Sequence, residues 1–273
     1  MVMEMCANGA LREAIREHTL EGDGGGVSLS WPLRTRIAKD VVCALRFLHE
    51  NNVLHRDVKT TNVLLTHDWR AKLCDFNLAI MDSSKAKLNH VAGTTEFMSP
   101  EALLGDNYSF KSDMFSLGVM MWELITGRAP SDDFMCRKPQ TFFVLDSDEL
   151  TDARPEGCPD GLFTFAMDCS EGDEDLRPTA GDAEDWLEAL LSELLAGDGE
   201  VELPARAPSA AGTLPSTSPP NNNNPVGIMD VDTSTGVIGD SFNGFGSSAS
   251  GKNWVVGAIS PAAAVAAAAA EAE

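Results

Sequence analysis

His55-Arg56-Asp57-Val58-Lys59-Thr60-Thr61-Asn62, running on through Val63 to Cys74 and into Asp75-Phe76-Asn77, is the stretch from which the other parts of the 273-residue chain are read. Val63 to Thr66 is short, apolar and β-branched, His67-Asp68-Trp69-Arg70 is turn material, and Ala71 to Cys74 is a second short run. The pattern predicts an antiparallel hairpin with a four-residue loop. Thr66 then faces Ala71, Leu64 faces Leu73, Val63 faces Cys74, and Asn62 faces Asp75 at the open end. An amide oxygen and a carboxylate held side by side are hard-oxygen ligands, the type Mg²⁺ takes beside substrate phosphates. Asp57 lies five residues before Asn62, near the same ion site, and Lys59 adds a positive charge between them.

A base, an amine and two metal ligands in this order match the protein-kinase signature set. His-Arg-Asp alone, or Asp-Phe alone, is a weak signal; both occur here, correctly separated, with more of the pattern downstream. The stretch resembles the catalytic and magnesium loops of eukaryotic protein kinases, in their tyrosine-kinase-like branch. Lys59, two residues after Asp57, resembles the serine/threonine-specific form. The resemblance implies ATP and Mg²⁺ as cofactors and a protein as substrate. By it, Asp57 orients the substrate hydroxyl and accepts its proton, and Lys59 stabilises charge on the transferred phosphoryl group. Asn62 and Asp75 hold the metal, and Leu64 underlies the adenine ring.

Upstream, Met1 to Cys6 is strand-like, Ala7-Asn8-Gly9 breaks it, and Ala10 to Arg16 has helical spacing. Beside the signature this resembles the segment joining a kinase's two lobes. Met3 then takes the gatekeeper position, and the backbones of Glu4 and Cys6 hold the adenine edge. Gly22-Asp23-Gly24-Gly25-Gly26 lacks the spacing of a phosphate loop and reads as a helix connection. Ser30-Trp31-Pro32 opens a helix, with Ser as N-cap and Pro in the first turn. Ile37, Val41, Ala44, Leu45 and Leu48 form its apolar stripe.

Downstream, Gly93-Thr94-Thr95-Glu96-Phe97-Met98-Ser99-Pro100-Glu101 resembles the end of a kinase activation segment, with Ser-Pro-Glu in place of Ala-Pro-Glu. The resemblance puts the Thr94 hydroxyl on Asp57 and Lys59. Ser83, Ser84 and Thr95 are then the phosphorylation candidates for an upstream kinase, with Arg56 the cation for such a phosphate. Ser112 to Gly127 is apolar nearly all round and predicts a buried central helix ended by Gly127. By resemblance its Asp113 bonds the backbone of the His-Arg-Asp loop, and Arg177 pairs with Glu101. Ala129 to Asp160 is weakly patterned. Helices follow through Leu162 to Cys169 and from Ala180 through Trp186 to Leu194.

The expected fold is mainly α: a protein-kinase-like C-terminal lobe over residues 1–195, helical with a small hairpin at the active site, then a disordered low-complexity tail over 196–273. Net charge is −22, and residues 146–202 carry 19 acidic against 2 basic side chains. That argues against nucleic acid or an anionic membrane as partner. Six scattered cysteines lack metal spacing, and no apolar run is long enough to span a bilayer. The expected location is intracellular, cytoplasmic.

Two departures from the family bear on function. The resemblance begins at the hinge, so the glycine-rich loop, the phosphate-holding lysine and its glutamate partner are not in this sequence. A fragment of a longer kinase is the expectation, with a truncated pseudokinase or scaffold as the alternative. Asn77 stands where the family has glycine; asparagine tolerates positive φ, so the backbone is expected to survive.

Overall fold

A helix apolar on every side has to be surrounded, and the one predicted around Ser112 is. The computed structural model describes residues 4–20, 29–81, 93–105, 108–131, 133–198 and 200–204. In chain order these give α1 (Leu11–Leu20), α2 (Trp31–Glu50), β1 (Val53–Leu54), β2 (Val63–Leu65), β3 (Ala71–Leu73) and β4 (Ile80–Met81). They continue with α3 (Pro100–Leu104), α4 (Phe110–Thr126), α5 (Ser147–Asp152), α6 (Asp160–Cys169) and α7 (Ala180–Asp198). The fold is mainly α, as expected. Met3, the Gly22–Gly26 run, Ser83, Ser84 and residues 205–273 lie outside the described residues.

Every residue of α4 from Ser112 to Ile125 is buried. Its start is fixed by a capping box between Ser109 and Ser112, and its end by Gly127 in the left-handed region at φ 72°. α6 lies so close that a Cβ on Gly118 would fall 2.7 Å from the Ser170 nitrogen, so this contact needs glycine. Ser170 also accepts the Trp122 indole N–H at 3.0 Å, which ties the two helices beside that contact. α2 packs on α7, with Leu33, Ile37, Val41 and Leu45 fully buried in the shared core. Ser30 caps α2 as predicted, accepting from the Leu33 N–H. α7 runs to Asp198, and Val201 beyond it still packs against the core.

The hairpin forms one register step from the expected pairing. Val63 faces Leu73, Leu64 faces Lys72 and Leu65 faces Ala71. Asn62 therefore lies opposite Cys74, whose N–H donates to the Asn62 carbonyl at 2.9 Å, and Asp75 falls one residue beyond the pair. The loop has three residues, not four. Trp69 adopts φ 60°, which turns the chain early, and the Thr66 hydroxyl accepts the Arg70 N–H at 3.0 Å to close it. Trp69 also buries its ring in the core, which offsets the left-handed backbone.

The segment before α1 lies along β2: Asn8 N–H donates to the Leu65 carbonyl at 3.0 Å, and Leu65 N–H to that of Gly9 at 2.8 Å. The two-residue strands β1 and β4 pair antiparallel, bringing the chain before His55 beside the chain after Asn77. α5 was not anticipated in the weakly patterned 129–160 region; Asp146 caps it through the Asp148 and Glu149 N–H groups.

Candidate active site

The loop from His55 to Asn62 takes its shape from buried partners on three sides. Asp113, fully buried at the start of α4, accepts the N–H of His55 and the N–H of Arg56, each at 2.9 Å, and pairs with His49 Nε2 at 3.0 Å. These bonds hold Arg56 at φ 67°, a left-handed conformation that a residue with a side chain adopts only when its surroundings impose it. Burial works against the Asp113 carboxylate, but His49 and the backbone donors prevail and hold its pKa below the usual range.

His55 is buried against the edge of Phe76. Its Nδ1 accepts the Asp57 N–H at 3.3 Å, so Nε2 carries the proton and donates to the Cys74 carbonyl at 3.2 Å. Burial lowers the His55 pKa, in keeping with a neutral ring. His55 therefore joins its own loop to the residue before Asp75.

Asp57 gathers the predicted residues around one carboxylate. Thr94 donates its hydroxyl to Oδ1 at 2.8 Å, Lys59 Nζ lies 2.7 Å from Oδ2, and Asn62 Nδ2 reaches the same Oδ2 at 2.8 Å. Lys59 Nζ also donates to Thr94 Oγ1 at 2.6 Å. Burial raises the Asp57 pKa, but the bonds from Lys59, Thr94 and Asn62 outweigh it, so the net shift is downward. The group is a carboxylate at neutral pH. The second Asn62 donor goes to the Asp57 carbonyl at 2.8 Å. With its NH₂ committed, Asn62 has only its amide oxygen to offer a ligand.

Asp75 is exposed, and its φ of 63° makes it the left-handed residue of the triplet; Asn77 does not adopt positive φ. The asparagine therefore meets no special backbone demand here. Among the described residues no three His, Cys, Asp or Glu side chains gather as a metal site. The donors available are the Asn62 amide oxygen and the Asp75 carboxylate, and both suit a hard divalent cation.

The predicted adenine-binding residues divide. Leu64 and Cys74 form a buried cluster with Cys6 and Ala10 packed against it, so Cys6 and Leu64 come together. Glu4 lies exposed beside Lys72, 3.4 Å from its ammonium. Glu101 and Arg177 form the expected pair at 2.8 and 2.9 Å, and the guanidinium bonds the carbonyls of Glu171, Lys111 and Gly172 as well. Burial opposes the Glu101 charge, but Arg177 and Ser112 hold its pKa down.

One buried contact to this loop escaped the sequence reading. Glu123 is a carboxylate buried in α4; it accepts the Thr60 hydroxyl at 2.7 Å and pairs with Arg12 of α1 at 3.1 Å. The signal was available, since Glu123 is the lone carboxylate within the apolar stretch from Met114 to Thr126.

The sequence profile of the protein kinase domain matches residues 1–188. The chain belongs to the protein kinase family. This kinase chain is 39% identical over 173 residues to a probable serine/threonine-protein kinase of Dictyostelium discoideum, covering 62% of the chain and 22% of the relative. A second probable serine/threonine-protein kinase of that organism is 35% identical over 196 residues, covering 71% of the chain and 44% of the relative. The PTI1-like tyrosine-protein kinase 3 of Arabidopsis thaliana is 34% identical over 167 residues, covering 59% and 41%. The kinase chain thus spans less than half the length of each of these relatives. No described helix is long and apolar enough to cross a membrane.

Proposed function

We propose that this kinase lobe carries the catalytic residues for ATP-dependent phosphoryl transfer to serine or threonine hydroxyls of proteins. The observation that carries the reading is the single ionised carboxylate of Asp57 with Lys59, Thr94 and Asn62 bonded around it. The Thr94 hydroxyl, 2.8 Å from Asp57 Oδ1, marks how an acceptor hydroxyl can approach the same group. With its pKa held below the usual range, Asp57 is a weak base. It orients the hydroxyl first and takes the proton late, as the new oxygen–phosphorus bond forms and the bond to the departing ADP oxygen breaks.

Lys59 neutralises charge building on the phosphoryl oxygens. Asn62 and Asp75 would hold Mg²⁺, which when bound neutralises the phosphates. Leu64 and Cys6 would form the floor and edge of the adenine site. The sequence at Lys59 and the names of the Dictyostelium relatives favour serine/threonine acceptors.

A cavity of about 460 Å³ beside Thr95 and Glu96, lined also by Leu103, Met135 and Phe143, suits the acceptor segment flanking the hydroxyl. Arg56 suits the counter-charge for a phosphate placed on the activation segment by an upstream kinase. Its guanidinium lies 5.7 Å from the Tyr108 ring, and its Nε has no hydrogen-bond partner among the described residues.

The test is transfer of labelled phosphate from ATP to a pool of serine and threonine peptides, alongside thermal shift with Mg²⁺–ATP. Asp57→Ala is expected to abolish transfer while keeping the shift; Asp75→Ala is expected to lose both. Wild-type transfer in either variant would sink the assignment.

A further inference from the structure

The segment carrying Thr94 is held at its two ends by two arginines that share one aromatic ring. Phe115 of α4 is fully buried, with the Arg177 guanidinium 5.0 Å from its centroid and that of Arg137 at 5.2 Å. Arg177 grips the far end through Glu101. Arg137 comes from the connection between α4 and α5 and donates to the carbonyl of Thr95 at 2.6 Å and to that of Met98. Burial pulls its pKa down to about 10, which still leaves a cation at neutral pH.

Between those ends α4 adds one further tie, the Ser116 hydroxyl donating to the Phe97 carbonyl at 2.8 Å. The segment makes one turn, in which Phe97 and Met98 N–H donate to the Thr94 carbonyl at 2.9 and 3.2 Å. Thr94 is thus one residue from a carbonyl that Arg137 holds, and its hydroxyl bridges Asp57 and Lys59.

We propose that Arg137 is a positioning residue for the acceptor site: by fixing the Thr95 and Met98 carbonyls against Phe115, it sets the turn that keeps Thr94 on Asp57 and Lys59. The consequence for transfer rests on the function proposed above; the geometric step does not. A hydroxyl displaced by about 1 Å at such a site costs on the order of 100-fold in rate.

Two readouts on the full chain test it. The first is acylation of Lys59 by acetic anhydride, followed by mass spectrometry, because this amine is tied to Thr94 and Asp57 in the intact site. The second is hydrogen exchange at Phe97 and Met98. Arg137→Ala should raise Lys59 acylation several-fold with Lys39 unchanged, and speed exchange at Phe97 and Met98 about tenfold with α2 and α4 still protected. Faster exchange confined to residues 131–145, with Lys59 at its wild-type level, would reduce Arg137 to local support and overturn the proposal.

If Arg137→Ala does not fold, Arg137→Lys keeps the charge and stem but reaches one carbonyl at most. A partial rise at Lys59 is expected, and a wild-type level overturns the proposal. In the peptide assay, Arg137→Ala should lower kcat with KM for ATP unchanged; wild-type kcat would count against it. Absence of transfer from the wild-type chain would count against the proposed function alone, and the labelling result would still decide the role of Arg137.

Discussion

Two buried carboxylates on one helix reach the same loop, His55 to Asn62, and their pKa values move in opposite directions. Asp113 and Glu123 lie ten residues apart in α4, about 15 Å along its axis. Burial raises both. Asp113 receives two backbone N–H groups and an imidazole, and ends below the usual carboxylate range. Glu123 receives one hydroxyl and the half-exposed guanidinium of Arg12, and ends above it. The number and burial of the donors, rather than the depth of the group, decide whether a carboxylate braces the loop by its charge.

Three experiments sharpen or break that contrast. Asp113→Asn places an NH₂ against backbone donors and should have the largest effect, a loss of about 2–5 kcal/mol in urea unfolding. A loss below that of a Glu123 variant would break the comparison.

The pH dependence comes next. Asp113 has a folded pKa below its ordinary 3.8, so the unfolded chain binds more protons as pH falls. Its contribution is present above about pH 4 and is lost as pH drops through the folded value. Glu123 has a folded pKa above its ordinary 4.5, so the folded chain holds the extra proton between those values. Its contribution is present below 4.5 and is lost as pH rises through the folded value. Unfolding free energy measured against pH should show both limbs, with Asp113→Asn flattening the acid one and Glu123→Gln the other.

Smallest is Glu123→Gln at pH 7, expected within about 1 kcal/mol of wild type, because the amide oxygen still accepts the Thr60 hydroxyl. A loss above about 2 kcal/mol would mean that its charge matters as much as that of Asp113.

The sequence made Asp57, Lys59, Asn62 and Thr94 legible because they lie in two short runs whose order is itself the signal. Asp113 and Arg177 were legible through the same resemblance, and the buried core of α4 through its unbroken apolar pattern. The hairpin register was not, because it depends on Trp69 turning left-handed, and tryptophan is not a residue type that announces such a turn. α5 escaped because six residues are too few to show a period. Arg137 escaped because a guanidinium bonding two carbonyls leaves no partner of opposite charge to search for. Glu123 was visible as the lone charge between Met114 and Thr126 and needed only the question of what it faced.

The three-residue hairpin loop leaves His67 free in identity but fixes the number of residues. The His67 side chain is 83% exposed, so many residue types would be tolerated there, whereas the Asp68 carboxylate accepts the Thr66 hydroxyl. One inserted residue is different. Strand faces alternate with a period of two, so a one-step slip would turn β3 over against β2 and rotate Cys74 away from the cluster that Leu64 and Cys6 share. Asp75 would be carried round with it. Among sequence variants of this lobe, then, the loop should drift in spelling at His67 and hardly at all in length, a ruler disguised as a linker.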